Sequence, residues 1–331
     1  MTARVGRVDH PVVAVHDLDR TSQQYRKLGF VVPPSGKHQE WGTENLCIMF
    51  PGDYLEIRGI GDPNKFLAGV DKFLAKGEGL YSVAFNAASA QESYQAGLAA
   101  GLEIEPPRHL NRKLVLEDRT LDLHFETVML GHDLYPGLTH ANLCQHLTAD
   151  TLRQPGWTDH PNGVVAFGRL VGMVSDFDAA AAAYTRLIGA ENVTRGDDHI
   201  LLDFGAGADI ELIGPAEAQR RGDAQPQLGD AYLASATLLV KDAAATAALF
   251  EANGVRFTRQ PGGELKVDPP TPVARTCISS RPETASGARP RPGARCEDSI
   301  GCMHGSSEPD LRNWKSPTPQ FTQGARPDEH P

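Results

Sequence analysis

One phrase of sequence recurs, and it constrains the fold more than any other feature. Residues 8–15 are an apolar run opened by Val8-Asp-His10, Asp17 follows as a helix N-cap, and an amphipathic stretch ends at Gly29. The phrase returns over residues 170–189 around Asp176, and over 236–254 around Asp242. A weaker copy spans residues 81–101. Short strand-like runs punctuated by Gly and Pro come after the helices: 30–32, 45–50 and 53–60 after the first, 199–204 and 209–214 after the third. The repeating unit is therefore βαβββ, about 50 residues long. Four copies lie near residues 8–60, 79–130, 164–214 and 231–268, the last lacking its closing strand. Consecutive short strands call for antiparallel pairing and an α+β class. A dinucleotide-binding fold does not fit, because no Gly-x-Gly-x-x-Gly follows a strand and helices do not alternate with strands.

Composition changes where the repeats stop. The chain has 331 residues, 24 prolines and 5 cysteines, and 11 of those prolines and 3 of those cysteines fall in residues 269–331. That stretch has neither alternation nor a helical stripe and is expected to be a disordered tail rich in Pro and Arg. One codon choice for residues 269–280, read in another frame, gives an alternating strand, so a shifted frame is one origin for the tail. The division expected is a first module pair in 1–135, a linker at 136–163, a second pair in 164–268 and the tail. Residues 1–268 hold 24 basic against 35 acidic residues, which argues against a nucleic-acid partner. No run approaches the roughly 20 apolar residues of a membrane span, and no Cys-x-x-Cys occurs. A cytoplasmic monomer or homodimer with a small-molecule substrate is expected.

The repeats carry more specific marks. Gly36-Lys-His38-Gln-Glu-Trp-Gly42-Thr43-Glu-Asn45, Tyr54-Leu-Glu56-Ile, and Cys144-Gln-His146 with His160-Pro-Asn162-Gly resemble segments of the vicinal oxygen chelate superfamily, in its glyoxalase-like group. The resemblance covers residues 7–268. It implies paired modules forming half-open sheets around a cavity and a divalent metal (Zn, Fe, Mn, Co or Ni), with one ligand from the first and one from the fourth strand of each module. Those positions are His10 and Glu56 in the first module. Ser82, Arg169 and Ser235 stand where the other modules would offer the histidine. A third ligand is expected from His124, with Glu126 or Glu211 as alternatives. His38 and Asn45, with Thr43, are expected to contact an oxygenated substrate. His38 is further expected to act as general acid or base near an ordinary histidine pKa, and Glu56 to share in catalysis.

The chemistry that the resemblance implies is a metal-dependent lyase or isomerase of the glyoxalase type. Two alternatives accompany it. An extradiol-type dioxygenase would use His10, His124 and Glu56, and a metal-free binding or resistance-type protein would use the cavity alone.

Overall fold

The computed structural model describes residues 2–131, 134–267 and 275–280. Its first half supplies the strands β1 (Val8–Ala14), β2 (Gly36–His38), β3 (Thr43–Met49), β4 (Tyr54–Ile60), β5 (Gly79–Asn86), β6 (Arg108–Val115), β7 (Thr120–Met129) and β8 (His140–His146). Helices α1 (Leu18–Lys27), α2 (Val70–Leu74) and α3 (Ala90–Ala99) connect them. These strands close into a barrel in the order β1-β4-β3-β2-β6-β7-β8-β5. Only β1 with β4 and β5 with β8 run parallel within it. For this first sheet the expectation of a half-open form is corrected, because β2 bonds to β6 across Gly36–Leu114 and His38–Arg112 and shuts the wall.

The second half adds α4 (Ala149–Leu152), β9 (Val164–Val174), α5 (Phe177–Ile188), β10 (Val193–Arg195), β11 (His199–Leu202), β12 (Asp209–Ile213), α6 (Pro215–Arg221), β13 (Ala231–Val240), α7 (Ala243–Ala252), β14 (Phe257–Arg259), β15 (Leu265–Val267) and β16 (Arg275–Ser280). They form one open sheet, β10-β11-β12-β9-β13-β16-β15-β14. Two further expectations change. Residues 140–146 are not linker but β8, a stave of the barrel between β7 and β5. The closing strand expected to be missing is present as β16, parallel to β13 from Ser235–Arg275 to Val240–Ser280. The disorder expected of residues 281–331 lies outside the described residues.

The caps read from sequence start the helices. Asp17 accepts from the Arg20 amide at 2.8 Å, Asp176 from Ala179 at 2.9 Å, and Asp242 from Ala244 at 2.8 Å. One apolar cluster joins the two sheets. Val13, Ile48, Leu55, Ile57 and Phe85 turn outward from the barrel, and Tyr25 and Leu28 of α1, Leu170 of β9, Tyr184 of α5 and Phe250 of α7 pack in the same cluster. Strand alternation then leaves the opposite faces of β1, β3 and β4 to line the barrel interior. No helix among the described residues is long and apolar enough to cross a membrane.

Candidate active site

A β-bulge opens the site. On β1, Val8 faces Phe85 of β5 but His10 faces Ala84, so Asp9 is an extra residue in the ladder. Neighbours on a regular strand point to opposite faces, and a bulge relaxes that rule. Asp9 Oδ2 accordingly reaches His10 Nδ1 at 2.7 Å and, past β5, His146 Nε2 on β8 at 2.8 Å. The His10 ring stacks on Tyr54, with centroids 4.2 Å apart, and its Nε2 lies 3.3 Å from Glu56 Oε2.

Glu56 is the hub of the inner wall. Its Oε1 accepts from Asn45 Nδ2 at 2.9 Å and from Arg58 Nε at 2.8 Å. Arg112 on β6 donates through Nη1 to Asn45 Oδ1 at 2.9 Å and to Cys47 Sγ at 2.7 Å. These side chains line one cavity inside the barrel. Trp41, Leu110, Phe125, Met129 and Leu152 give it an apolar remainder. Few precisely placed polar groups on an apolar lining is the usual make-up of a small-molecule site.

Burial sets the charges. Burial opposes ionisation of Glu56, but the Arg58 guanidinium and the His10 hydrogen bond hold its carboxyl well below the usual range. Burial likewise opposes charge on His10, and its hydrogen bonds to Asp9 and Glu56 outweigh that and raise its pKa. The Cys47 thiol is pushed up to about 11 by burial, and burial also raises Cys144 well above the usual thiol range. His38 moves the other way. Burial, and then the charge of Arg58, lower it to about 3. The expectation of a His38 acid or base near 6.5 is therefore corrected, since the ring is neutral across the physiological range.

His10, Glu56, Asn45 and His38 share this one cavity, and Thr43 sits behind His38 with Oγ1 2.8 Å from Nδ1. His124 does not join them. On β7 the cavity receives Phe125, Thr127 and Met129, so His124 and Glu126 lie on the outer face, and His124 Nδ1 stands 3.1 Å from His109 Nε2. The ligand set His10, Glu56 and His124 is not assembled. Glu211 belongs to the second sheet, where Arg221 grips both its oxygens at 2.9 and 3.0 Å. His160 and Asn162 clamp the chain, with His160 between the Val31 amide and the Met49 carbonyl and Asn162 donating to the Leu28 carbonyl.

Sequence reading missed Asp9, Tyr54, Arg58, Arg112 and the place of His146. Arg58 had a signal, standing two residues from Glu56 on one strand and so on one face. Asp9 had none, because a bulge is invisible without the partner strand.

The resemblance implies a divalent ion, and one donor group fits it. Asp9, Cys144 and His146 offer O, S and N atoms that all lie within 4.8 Å of one another. His146 Nδ1 is buried without a hydrogen-bond partner. Such a mixed set suits Zn²⁺ or a similar borderline ion. Around Glu56 the fit is poorer, since the Arg58 and Arg112 guanidiniums already bring positive charge to that wall.

Comparison with solved structures gives the same architecture. A hypothetical protein from Staphylococcus aureus superposes with a TM-score of 0.61 at 9% identity, over 83% of this chain and 99% of that one. A mutant 4-hydroxymandelate synthase from Streptomyces coelicolor gives 0.57 at 14%, over 87% and 94%. A fusion of a xylose isomerase-like TIM barrel with a 4-hydroxyphenylpyruvate dioxygenase gives 0.54 at 12%, over 87% and 50%. At these identities the likeness speaks for fold. Comparison with curated proteins found no match. A family model described as a glyoxalase-like domain matches residues 8–188, more than half of the chain. The chain thus belongs to the glyoxalase-like domain family, within the vicinal oxygen chelate superfamily.

Proposed function

We propose that the chain is a lyase or isomerase of the glyoxalase type, moving a proton on a small oxygenated metabolite inside the barrel. The observation that carries this reading is the buried His10–Glu56 pair, 3.3 Å apart in the wall of the barrel cavity. Glu56, held anionic, takes a proton from a carbon next to a carbonyl. His10, whose proton affinity is raised, donates to or accepts from the substrate oxygen or the neighbouring carbon. The contacts that keep Glu56 ionised also weaken it as a base. Stabilisation of developing negative charge by Arg58, Arg112 and the Asn45 amide must then supply the larger share of the rate. A divalent ion held by Asp9, Cys144 and His146 supplies Lewis-acid polarisation of a substrate oxygen when bound. We also read each sheet as a pair of βαβββ modules, the barrel being β1–β4 joined to β5–β8.

One observation favours a second reading, a binding protein without turnover: both Glu56 oxygens are already engaged by protein groups. Deuterium incorporation separates the two. Zinc-loaded protein is incubated in D₂O with carbonyl compounds bearing an α-proton, hydroxy-ketones and α-keto acids among them, and followed by NMR. Exchange that disappears in Glu56→Gln and His10→Ala supports the enzyme. Saturable binding with no exchange in any of them leaves the binding protein.

A further inference from the structure

Arg112 is a buried cation without an anion. It is 3% exposed, and its hydrogen-bond partners among the described residues are an amide oxygen and a thiol. The thiol is neutral, since burial pushes Cys47 up to about 11. Arg58 differs, because its charge is met by Glu56 at 2.8 Å. Among the described residues no carboxylate pairs with Arg112, and its Nε is buried with no hydrogen-bond partner. Guanidinium carries five donors in a planar fork and does not deprotonate in proteins, so neutralising itself is not an available escape. An unpaired buried charge is among the costliest arrangements a fold can hold.

The placement is nevertheless deliberate. Arg112 lies on the inner face of β6 between Leu110 and Leu114, and it lines the cavity. Across the seam stands Gly36, where a Cβ would sit 2.9 Å from Arg112 Cδ and 3.1 Å from its Nε. The missing side chain at Gly36 is what lets the guanidinium lie in the wall. Asn45 and Cys47 then hold one terminal nitrogen.

We propose that the ligand of this cavity carries a carboxylate, and that Arg112, a cation in the cavity wall with no carboxylate partner of its own, receives it. This rests on the reading of the barrel as the substrate site and narrows that substrate to an organic monoanion. The paired fork of Arg matches the two oxygens of a carboxylate. The apolar lining by Trp41, Leu110, Phe125 and Met129 selects an organic anion over a free inorganic one.

The test is calorimetric titration of the full chain with benzoate, its neutral isostere benzamide, and inorganic phosphate. None of these has an α-proton, so failure of the proton-transfer reading leaves this result untouched. Wild type is expected to bind benzoate about tenfold or more tightly than benzamide and than phosphate. Arg112→Met is expected to lose that preference while keeping benzamide affinity, and Arg112→Lys to keep part of it. Equal binding of benzoate and benzamide, no saturable benzoate binding, or tighter phosphate binding in wild type each overturns the proposal. So does an unchanged preference in Arg112→Met. Should neither variant fold, as read by circular dichroism, the wild-type preference decides alone.

Discussion

Oδ2 of Asp9 stands 2.8 Å from Nε2 of His146, a residue 137 positions further along the chain. The same oxygen lies 2.7 Å from His10 Nδ1, so one carboxylate orients two imidazoles and ties β1 to β8. Burial opposes its charge, but both histidines' hydrogen bonds hold Asp9 far below the usual carboxylate range. Asp9→Asn keeps the shape and removes the charge. Zinc affinity is expected to fall about tenfold or more, read by equilibrium dialysis, with a loss of about 2 kcal/mol in chemical unfolding. Unchanged zinc affinity would place the ion away from Asp9, Cys144 and His146.

Glu56→Gln strands Arg58 beside a neutral amide. The fold should lose about 3 kcal/mol or more, as when one partner of a buried pair is removed. Turnover should fall on the order of a hundredfold or more for a lost general base. The double variant Glu56→Gln/Arg58→Met should regain part of the stability and none of the turnover. Urea unfolding of the three proteins compares the first effect. If the double variant is the less stable one, Arg58 is held by something other than Glu56.

His10 and Glu56 were legible through the family resemblance, which singles out the first and fourth strands of the first module, and both side chains line the cavity. His124 went wrong for a reason of phase. Along Leu121-Asp-Leu-His-Phe-Glu-Thr the polar positions look like a site and the apolar ones like core, yet the cavity wall of β7 is the apolar phase, through Leu123, Phe125 and Met129. Arg112 was hidden the same way, because Arg108-His-Leu-Asn-Arg-Lys has the polarity of a solvent-facing strand. The strand Arg275–Ser280 shows no alternation at all. Its place comes from backbone pairing with β13, which composition does not record.

Asp53 links stability to pH. It lies between the two sheets, accepting from the Phe167 amide at 3.4 Å, and its Oδ1 has no hydrogen-bond partner. Burial raises its pKa from 3.8 to about 6 against the pull of that amide and of Arg7 and Arg153. The folded chain thus keeps a proton that the unfolded chain has already released. The resulting stability is full below 3.8 and is lost as pH rises through 6. Asp53→Asn, neutral at every pH, should match wild type near about pH 4 and exceed it by roughly 3 kcal/mol at about pH 7.5. Unfolding curves at both pH values check this, and a gap that does not widen with pH would refute the assignment to Asp53.

Gly29 ends α1 at φ +80°, where an added Cβ would lie 2.5 Å from Leu249 Cδ2 and 3.1 Å from Asn162 Cβ. Its carbonyl also accepts from the Asn162 amide at 3.2 Å. Gly29→Ala combines left-handed strain with a clash against α7, and should cost about 2 kcal/mol or more. Thermal melting reads it. A loss under about 0.5 kcal/mol would mean that the turn relaxes without strain.

The barrel does not close evenly. Eight residue pairs join β6 to β7, but three join β2 to β6, and the middle one sets Lys37 opposite Lys113. Like charges directly opposite weaken a ladder. Only two pairs join β2 to β3 on its other side, so β2 is the most weakly held stave. Its amides are expected to be among the first in the wall to exchange with solvent under native conditions. His38 and Arg112 are the pair at its edge. Arg112 itself stays with β6, which eight pairs hold to β7, so parting of this seam would uncover the guanidinium without carrying it away from the cavity.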